Sequence, residues 1–211
     1  MTPDGIITSD SDDENTSFEQ LNRGKKSVGI NLGSTYGQQI VRKLVESVDI
    51  VVTNLVPERQ GKYHLTYEDC LTANPQIIYV ALTGYGTKGE ERDRLGFDYA
   101  AFWARSGIMG SIGNEGESPA QQRPGMGDQV TSLALTTSIS LALLDKERTG
   151  KGKKIECSLL HSGLWVLGLD FAAAMRHKQS VKKHSPKHTN NPLSNFYSCL
   201  LYTSDAADDT P

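Results

Sequence analysis

Two stretches decide the fold class of this chain: DIVVTN (residues 49–54) and QIIYVAL (residues 76–82). Each is a short, continuous apolar run rich in β-branched residues, which is typical of strands buried on both faces of a parallel sheet. The intervening segment Thr66–Asn74 predicts a helix, because Thr66 can serve as its N-cap, Asp69 follows three residues later and Pro75 ends it. Alternating strands and helices predict an α/β domain with a parallel sheet.

Further elements are expected on both sides of this unit. Strands are predicted at Ser27–Leu32 and Lys153–Ser158, and helices at Tyr36–Ser47, Asp98–Ser106, Asp128–Lys146 and Leu159–Met175. The aromatic residues Phe102, Trp103 and Trp165 are expected in the core. Two glycine-rich passages, residues 83–96 and 107–127, are long for a compact domain, and loops of this length are usually functional.

Composition divides the 211 residues into three parts. Residues 1–21 are acidic and are expected to be poorly ordered, residues 22–175 form the predicted core, and residues 176–211 form a polar tail that begins with a basic run. The net charge of −3 conceals these opposite segments. Because the basic run has no interleaved aromatic residues, a nucleic-acid partner is not expected.

Several classes of protein are disfavoured by what the sequence lacks. The three cysteines are widely spaced, which predicts neither a disulfide framework nor a metal site. There is no apolar run long enough to span a bilayer and no secretory signal, so we expect a cytoplasmic protein without a membrane partner.

The string GMGD (residues 125–128) is the most informative short motif. Asp128 precedes a long predicted helix, where an aspartate commonly acts as the N-cap. A carboxylate on a glycine loop can also act as a covalent nucleophile, with nearby N–H groups available for a developing oxyanion. The motif alone leaves both interpretations open. The loop Gly84–Gly89 is similar to a phosphate loop, but it lacks the required spacing.

A series of strings, taken in order, resembles the class III CoA-transferases, a family that also contains the acyl-CoA racemases. The strings are NRGKKS (22–27), DIVVTNL (49–55), NPQIIY (74–79) with TGYG (83–86), GFD (96–98) with SG (106–107), GD (127–128) and RTGKGK (148–153). The resemblance implies a partial Rossmann-like parallel sheet with flanking helices.

The resemblance also implies roles for individual residues. Asp128 matches the family's covalent nucleophile, which takes an acyl group from acyl-CoA and passes CoA to a small organic acid. Asn54 and Leu55 match a stretch that lines the CoA site, and Lys62 matches a basic position near the CoA phosphates. The implied substrate pocket contains Phe97, Asp98, Met126 and Gly127. Coenzyme A and acyl-CoA are then substrates, and no permanently bound cofactor is expected.

Phe97 helps to distinguish the racemase branch of the family from the transferase branch. The racemases have a histidine at the matching position, and a phenylalanine side chain cannot transfer a proton. The string GFDYAAFWARSG (residues 96–107) is most similar to transferases acting on carnitine-type, 2-hydroxy or aryl acids. The alternatives are a racemase of the same fold and an inactive CoA-binding fragment.

Segments that the family has are missing from this sequence. The family's opening strand, with its L-A-D-x-G-A-x-V-I-K-x-E segment, and its C-terminal small domain have no counterpart here. We therefore expect a fragment of an enzyme that forms an interlocked homodimer, with apolar surface left exposed. Residues 199–211 are interpreted as an artefactual end.

Overall fold

The computed structural model describes residues 16–185, 187, 191–195, 197–198 and 203–204. The interpretation of residues 199–211 falls almost entirely outside these residues, as does the prediction of disorder for residues 1–15. Residues 16–21 of the segment predicted to be poorly ordered belong to a helix, Thr16–Asn22. Among the helices of the described ranges, none combines the length and apolar character that a membrane crossing requires.

The sheet has three parallel strands in the order β1-β2-β3. They are β1 (Ile50–Thr53), β2 (Ile78–Thr83) and β3 (Lys154–Ser158). In the ladder, Ile50 lies opposite Ile78, and Val80 lies opposite Ile155. The parallel α/β fold predicted from the sequence is therefore confirmed.

Helices and short connecting elements complete the fold. The helices are α1 (Thr16–Asn22), α2 (Thr35–Ser47), α3 (Pro57–Lys62), α4 (Tyr67–Ala73), α5 (Ile108–Ser111), α6 (Met126–Thr149), α7 (Leu159–Val166) and α8 (Gly168–His177). A π-helix spans Asp98–Ala104 and a 3₁₀ turn spans Pro192–Ser194, before the paired segments β4 (Tyr197–Ser198) and β5 (Thr203–Ser204). Helix α3 was not predicted.

Strand β2 joins two cores because its side chains alternate between the faces of the sheet. On one face, Ile77, Tyr79 and Ala81 pack with Val45 of α2 and Cys70 of α4. On the other face lies a second cluster, formed by Ile78 and Val80 with Leu135 and Ala142 of α6. Full burial of a side chain such as Ile77 stabilises the fold by about 1.5–3 kcal/mol, so β2 anchors helices on both sides.

A third core holds the π-helix. Phe102 and Trp103 are buried there with Ile108 and Leu159, and the two aromatic rings meet edge to face at 5.2 Å between centroids. The prediction that Phe102 and Trp103 lie in the core is confirmed. The same prediction for Trp165 is wrong, because its side chain is 82% exposed.

The predicted strand Ser27–Leu32 is not formed. This segment is irregular and largely exposed, with Val28 69% exposed. A strand requires a neighbour for its backbone groups, and among the described residues β1 pairs only with β2. For the same reason β1 is not buried on both faces as expected, and Val52 is 54% exposed.

The predicted helix Leu159–Met175 is divided. Helix α7 ends where Leu167 leaves helical geometry (φ −87°, ψ 19°), and α8 starts at the next residue.

The side chain of Leu169 in α8 is 91% exposed, and Leu133 in α6 is 71% exposed. The expectation of exposed apolar surface is therefore confirmed.

Helix α4 begins with the predicted capping box. Thr66 Oγ1 accepts a hydrogen bond from the Asp69 N–H, and Asp69 Oδ2 accepts one from the Thr66 N–H. These two bonds satisfy donors that a helix start otherwise leaves free. The start of α4 is connected to the sheet by Tyr79 of β2, whose hydroxyl donates to Leu65 O or Gln60 Oε1.

Replacing the cap tests this local interpretation. Thr66→Ala removes the hydroxyl acceptor and is expected to lower the free energy of unfolding by about 1 kcal/mol in urea titrations. Thr72→Ala is the matched control, because the exposed Thr72 hydroxyl only bonds back to Glu68 O within the same helix. Equal effects of the two substitutions would contradict the assigned role of the cap.

Candidate active site

A cavity of about 440 Å³ lies at the edge of the sheet where all three strands end. Its lining includes Asn54 from the end of β1, Gly84 from the end of β2 and Leu159 from the end of β3. Parallel α/β sheets generally bind their ligands at the carboxyl ends of the strands. This cavity is therefore the candidate site.

Asp128 enters the cavity from the first turn of α6. The helix begins at Met126, and its N-cap is Gly125, which has a φ of 73°. The interpretation of Asp128 as the N-cap is therefore wrong: it is the third residue of the helix, because Gly125 adopts the left-handed conformation that ends the preceding loop. At this position the positive end of the helix dipole favours a carboxylate.

Asp98 lies at the start of the π-helix and approaches the same turn of α6. It is only 6% exposed. A Cβ atom at Gly127 would overlap Asp98 Oδ1 and the ring of Phe102, so the absence of a side chain at Gly127 permits this approach.

The charge of Asp98 perturbs the titration of Asp128. Partial burial raises the pKa of Asp128, and the negative charge of Asp98 raises it further, although Asp128 as a residue is exposed. Burial also raises the pKa of Asp98, whereas the indole N–H of Trp103 and the amides of Gly125, Gly127 and Asp128 act in the opposite direction. Perturbed carboxyl groups in a cavity are characteristic of functional sites.

Two arginines of the cavity were missed by the sequence analysis. Arg59 belongs to the unpredicted α3, and Arg94 lies in the glycine-rich loop. The Glu58 N–H donates to Asp93 Oδ1 at 2.8 Å, which holds α3 against this loop. Only the basic character of the string ERQGK, and a proline that starts a helix at residue 57, gave any signal of Arg59.

Arg94 is held by two side chains. Its Nη1 donates to Glu91 Oε1 at 2.6 Å, and its guanidinium group lies over the ring of Tyr85, 5.3 Å from the centroid. The other oxygen of Glu91 accepts from Arg105 at 2.8 Å. Both arginines are exposed, and Arg94 is held at the wall of the cavity by these contacts.

Glycine contacts bring the loop and strand ends together. A Cβ atom at Gly84 would lie 2.6 Å from the Cα atom of Gly96, and one at Gly96 would lie 2.7 Å from the Cα atom of Gly84. The Gly84 carbonyl also accepts a hydrogen bond from Leu160 N–H at 3.0 Å. These contacts close one side of the cavity and position Phe97 and Asp98.

The residues proposed from the sequence fall into three groups. Asn54, Leu55, Phe97, Asp98 and Asp128 all line the cavity. Met126, 47% exposed, and the buried Gly127 flank it without lining it. Lys62 lies outside, with its Nζ atom 5.7 Å from the centroid of the Tyr63 ring.

The described residues include no group of three or more His, Cys, Asp or Glu side chains arranged to hold a metal ion. The charged groups that line the cavity are the carboxyls of Asp98 and Asp128 and the guanidinium groups of Arg59 and Arg94, and the N-terminal end of α6 lies beside them.

Comparison with known proteins identifies the family to which this chain is related. Residues 5–200 match the family described as CoA-transferase family III. The chain is 37% identical over 190 residues to (R)-2-hydroxy-4-methylpentanoate CoA-transferase of Clostridioides difficile, covering 90% of this chain and 47% of that enzyme. It is 36% identical over 164 residues to cinnamoyl-CoA:phenyllactate CoA-transferase of Clostridium sporogenes, covering 78% of this chain and 40% of that enzyme.

A solved structure agrees with the sequence matches. The fold is similar to that of a CAIB/BAIF family protein from Brucella suis, with a TM-score of 0.74 and 31% identity. The match covers 84% of this chain and 47% of that one. The chain belongs to CoA-transferase family III, and it spans less than half the length of these relatives.

The contact between Gly127 and Asp98 is directly testable. Gly127→Ala places a methyl group into the Asp98 carboxyl and the Phe102 ring, and it is expected to cost about 1–3 kcal/mol of unfolding free energy in chemical denaturation. Gly168→Ala is the control, because no atom lies within 4 Å of the added Cβ at the start of α8. A fully stable Gly127→Ala protein would mean that the two elements do not pack as described.

Proposed function

We propose that this chain carries the nucleophilic part of a CoA-transferase, which moves CoA from an acyl-CoA donor to a carboxylic acid through covalent intermediates on Asp128. The observation that carries the proposal is the position of Asp128 in the first turn of α6, where its partly buried carboxyl, with a raised pKa, lines a cavity at the ends of the strands. A more basic carboxylate is a stronger nucleophile once it is ionised.

The proposed reaction exchanges two carboxylates around one CoA. The Asp128 carboxylate attacks the thioester carbonyl, which breaks the C–S bond and yields a mixed anhydride and CoA thiolate. The thiolate then attacks the aspartyl carbonyl and releases the donor acid, leaving an aspartyl-CoA thioester. The acceptor carboxylate attacks this thioester to form a second anhydride. The released thiolate takes the acceptor acyl group and regenerates Asp128.

The cavity also suggests how CoA is held. Asn54 and Leu55, at the end of β1, remain the proposed CoA-lining residues. Arg59 and Arg94 supply positive charge at the same cavity, and arginine is well suited to binding phosphate. We assign the phosphate-binding role to Arg59 in preference to Lys62, which lies outside the cavity.

The acceptor is proposed to be an apolar 2-hydroxy acid. Leu95 and Phe97 line the cavity and are 60% and 75% exposed, so apolar side chains are available to a substrate. The two relatives described above are named for a branched 2-hydroxy acid and for phenyllactate. The side chain of Phe97 cannot transfer a proton, so this position does not support the racemase alternative.

The exposed apolar side chains bear on assembly. Trp165 and Leu169, 82% and 91% exposed, lie on adjacent helices. Exposed apolar surface of this kind commonly marks an interface. We therefore propose that the full-length protein is a homodimer.

Chemical trapping tests the role of Asp128. Incubation with 2-hydroxy-4-methylpentanoyl-CoA and then hydroxylamine should convert the activated Asp128 into a hydroxamate, which tandem mass spectrometry locates. In the protein extended to the length of its relatives, Asp128→Asn should lower the rate of CoA transfer roughly a thousandfold or more.

Asp145→Asn is the matched control for this experiment. Asp145 lies near the opposite end of α6, where it forms an ion pair with Lys153 at 2.9 Å. This variant should retain both the adduct and the transfer rate. An adduct on another residue, or full activity of Asp128→Asn in the extended protein, would refute the proposed mechanism.

The assignment of the phosphate-binding cation is tested by affinity. Arg59→Ala should weaken CoA binding roughly tenfold in isothermal titration, because it removes a charge from the cavity wall. Lys62→Ala, which removes the same charge outside the cavity, should have a much smaller effect. A larger loss for Lys62→Ala would restore the expectation drawn from the sequence.

A further inference from the structure

Asp98 is a buried carboxyl group with incomplete hydrogen bonding. Within the described part of the chain, neither of its oxygens has a hydrogen-bond partner of acceptable geometry. The indole N–H of Trp103, also buried, has none either. Burying such groups without partners is costly, so their placement next to each other calls for an explanation.

The surroundings of Asp98 are rich in donors. The indole N–H of Trp103 and the backbone amides of Gly125, Gly127 and Asp128 all lie close enough to favour its ionised form. Three of these four groups belong to the start of α6, which receives no side-chain cap from its own N-cap, Gly125. The Asp98 carboxyl therefore lies beside the amides that a side-chain cap would pair with, and it comes from a different element of the fold.

This position couples Asp98 to Asp128. The negative charge of Asp98 raises the pKa of Asp128. The other charged side chains of the cavity are Arg59 from α3 and Arg94 from the loop. Strand β2 and helix α7 contribute only uncharged residues to the lining, Leu82, Thr83 and Leu159.

We propose that Asp98 is a positioning residue for Asp128: it caps α6 from the π-helix, fixes the Gly127–Asp128 peptide and strengthens the nucleophile by its negative charge. This inference rests on the proposed function, and it changes the role of Asp98 from a pocket residue to a residue that acts through Asp128. It also implies that Asp98 and a developing oxyanion would compete for the first amides of α6.

The titration of Asp128 tests the coupling in this chain itself. With ¹³C-labelled aspartate, the carboxyl resonance of Asp128 is followed by NMR as a function of pH. Asp98→Asn keeps the shape of the side chain and removes its charge, so the midpoint for Asp128 should shift to lower pH. Asp145→Asn removes a carboxylate from the far end of α6 and should leave the midpoint unchanged. An unchanged midpoint in Asp98→Asn would overturn the proposal.

A second variant tests the cap and remains informative if Asp98→Asn does not fold. Trp103→Phe removes the indole donor that favours ionised Asp98 and keeps an aromatic ring in the core, so the Asp98 resonance should titrate at higher pH. In the unsubstituted chain the Asp128 resonance should also report the Asp98 step, because strongly interacting groups titrate together. Absence of both effects would overturn the proposal.

The result of these titrations can be distinguished from the result of the test of the proposed function. The titrations use no acyl-CoA, whereas hydroxylamine trapping depends on covalent chemistry at Asp128. Coupled titrations without an aspartyl adduct would remove the transferase mechanism and retain the pairing of the two carboxyls. An adduct with independent titrations would retain the mechanism and remove the positioning role.

Discussion

The close contact between the Asp98 carboxyl and the backbone of Gly127 is the constraint on which the rest of the site depends. The contact is possible only because Gly127 has no side chain. It joins the π-helix to the first turn of α6 and thereby sets where Asp128 emerges. The negative charge of Asp98 and the partial burial of Asp128 both make protonation of Asp128 easier, so a single packing arrangement determines the position and the basicity of that carboxyl.

The other wall of the cavity also depends on a close contact at glycine residues. Gly84 and Gly96 approach so closely that neither tolerates a Cβ atom, and this contact places the loop with Arg94 beside the end of β2. The bond from Glu58 N–H to Asp93 then brings α3, and with it Arg59, to the same loop. The cavity is therefore built from backbone contacts at glycines and from long-range hydrogen bonds, while the sheet supplies a support through the buried side chains of β2.

Local sequence patterns were sufficient for strands β1, β2 and β3 and for helices α2, α4 and α6. The apolar runs around Ile50 and Ile78 predict the paired strands, and Thr66 with Asp69 predicts the start of α4, because these signals act over a few residues. Ser27–Leu32 and Trp165 were misjudged because a strand or a buried aromatic also needs a partner elsewhere in the fold, which a local pattern does not reveal.

Part of the candidate site could also be predicted from the sequence. Asp128, Asp98 and Phe97 were found through motifs, and the structure brings them to one cavity. Arg59 was missed, because its place depends on the contact of α3 with a loop some distance along the chain. The pairing of Asp98 with the start of α6 was also beyond reach, since neither the π-helix nor the left-handed Gly125 is encoded by a periodic pattern.

The most direct test of the central claim is a crystal structure of the full-length protein, flash-cooled during reaction with an acyl-CoA donor. We expect continuous electron density from the Asp128 carboxyl carbon to the sulfur of CoA or to the acyl group. An intact thioester bound at the site, with Asp128 unmodified and a different side chain acylated, would contradict it.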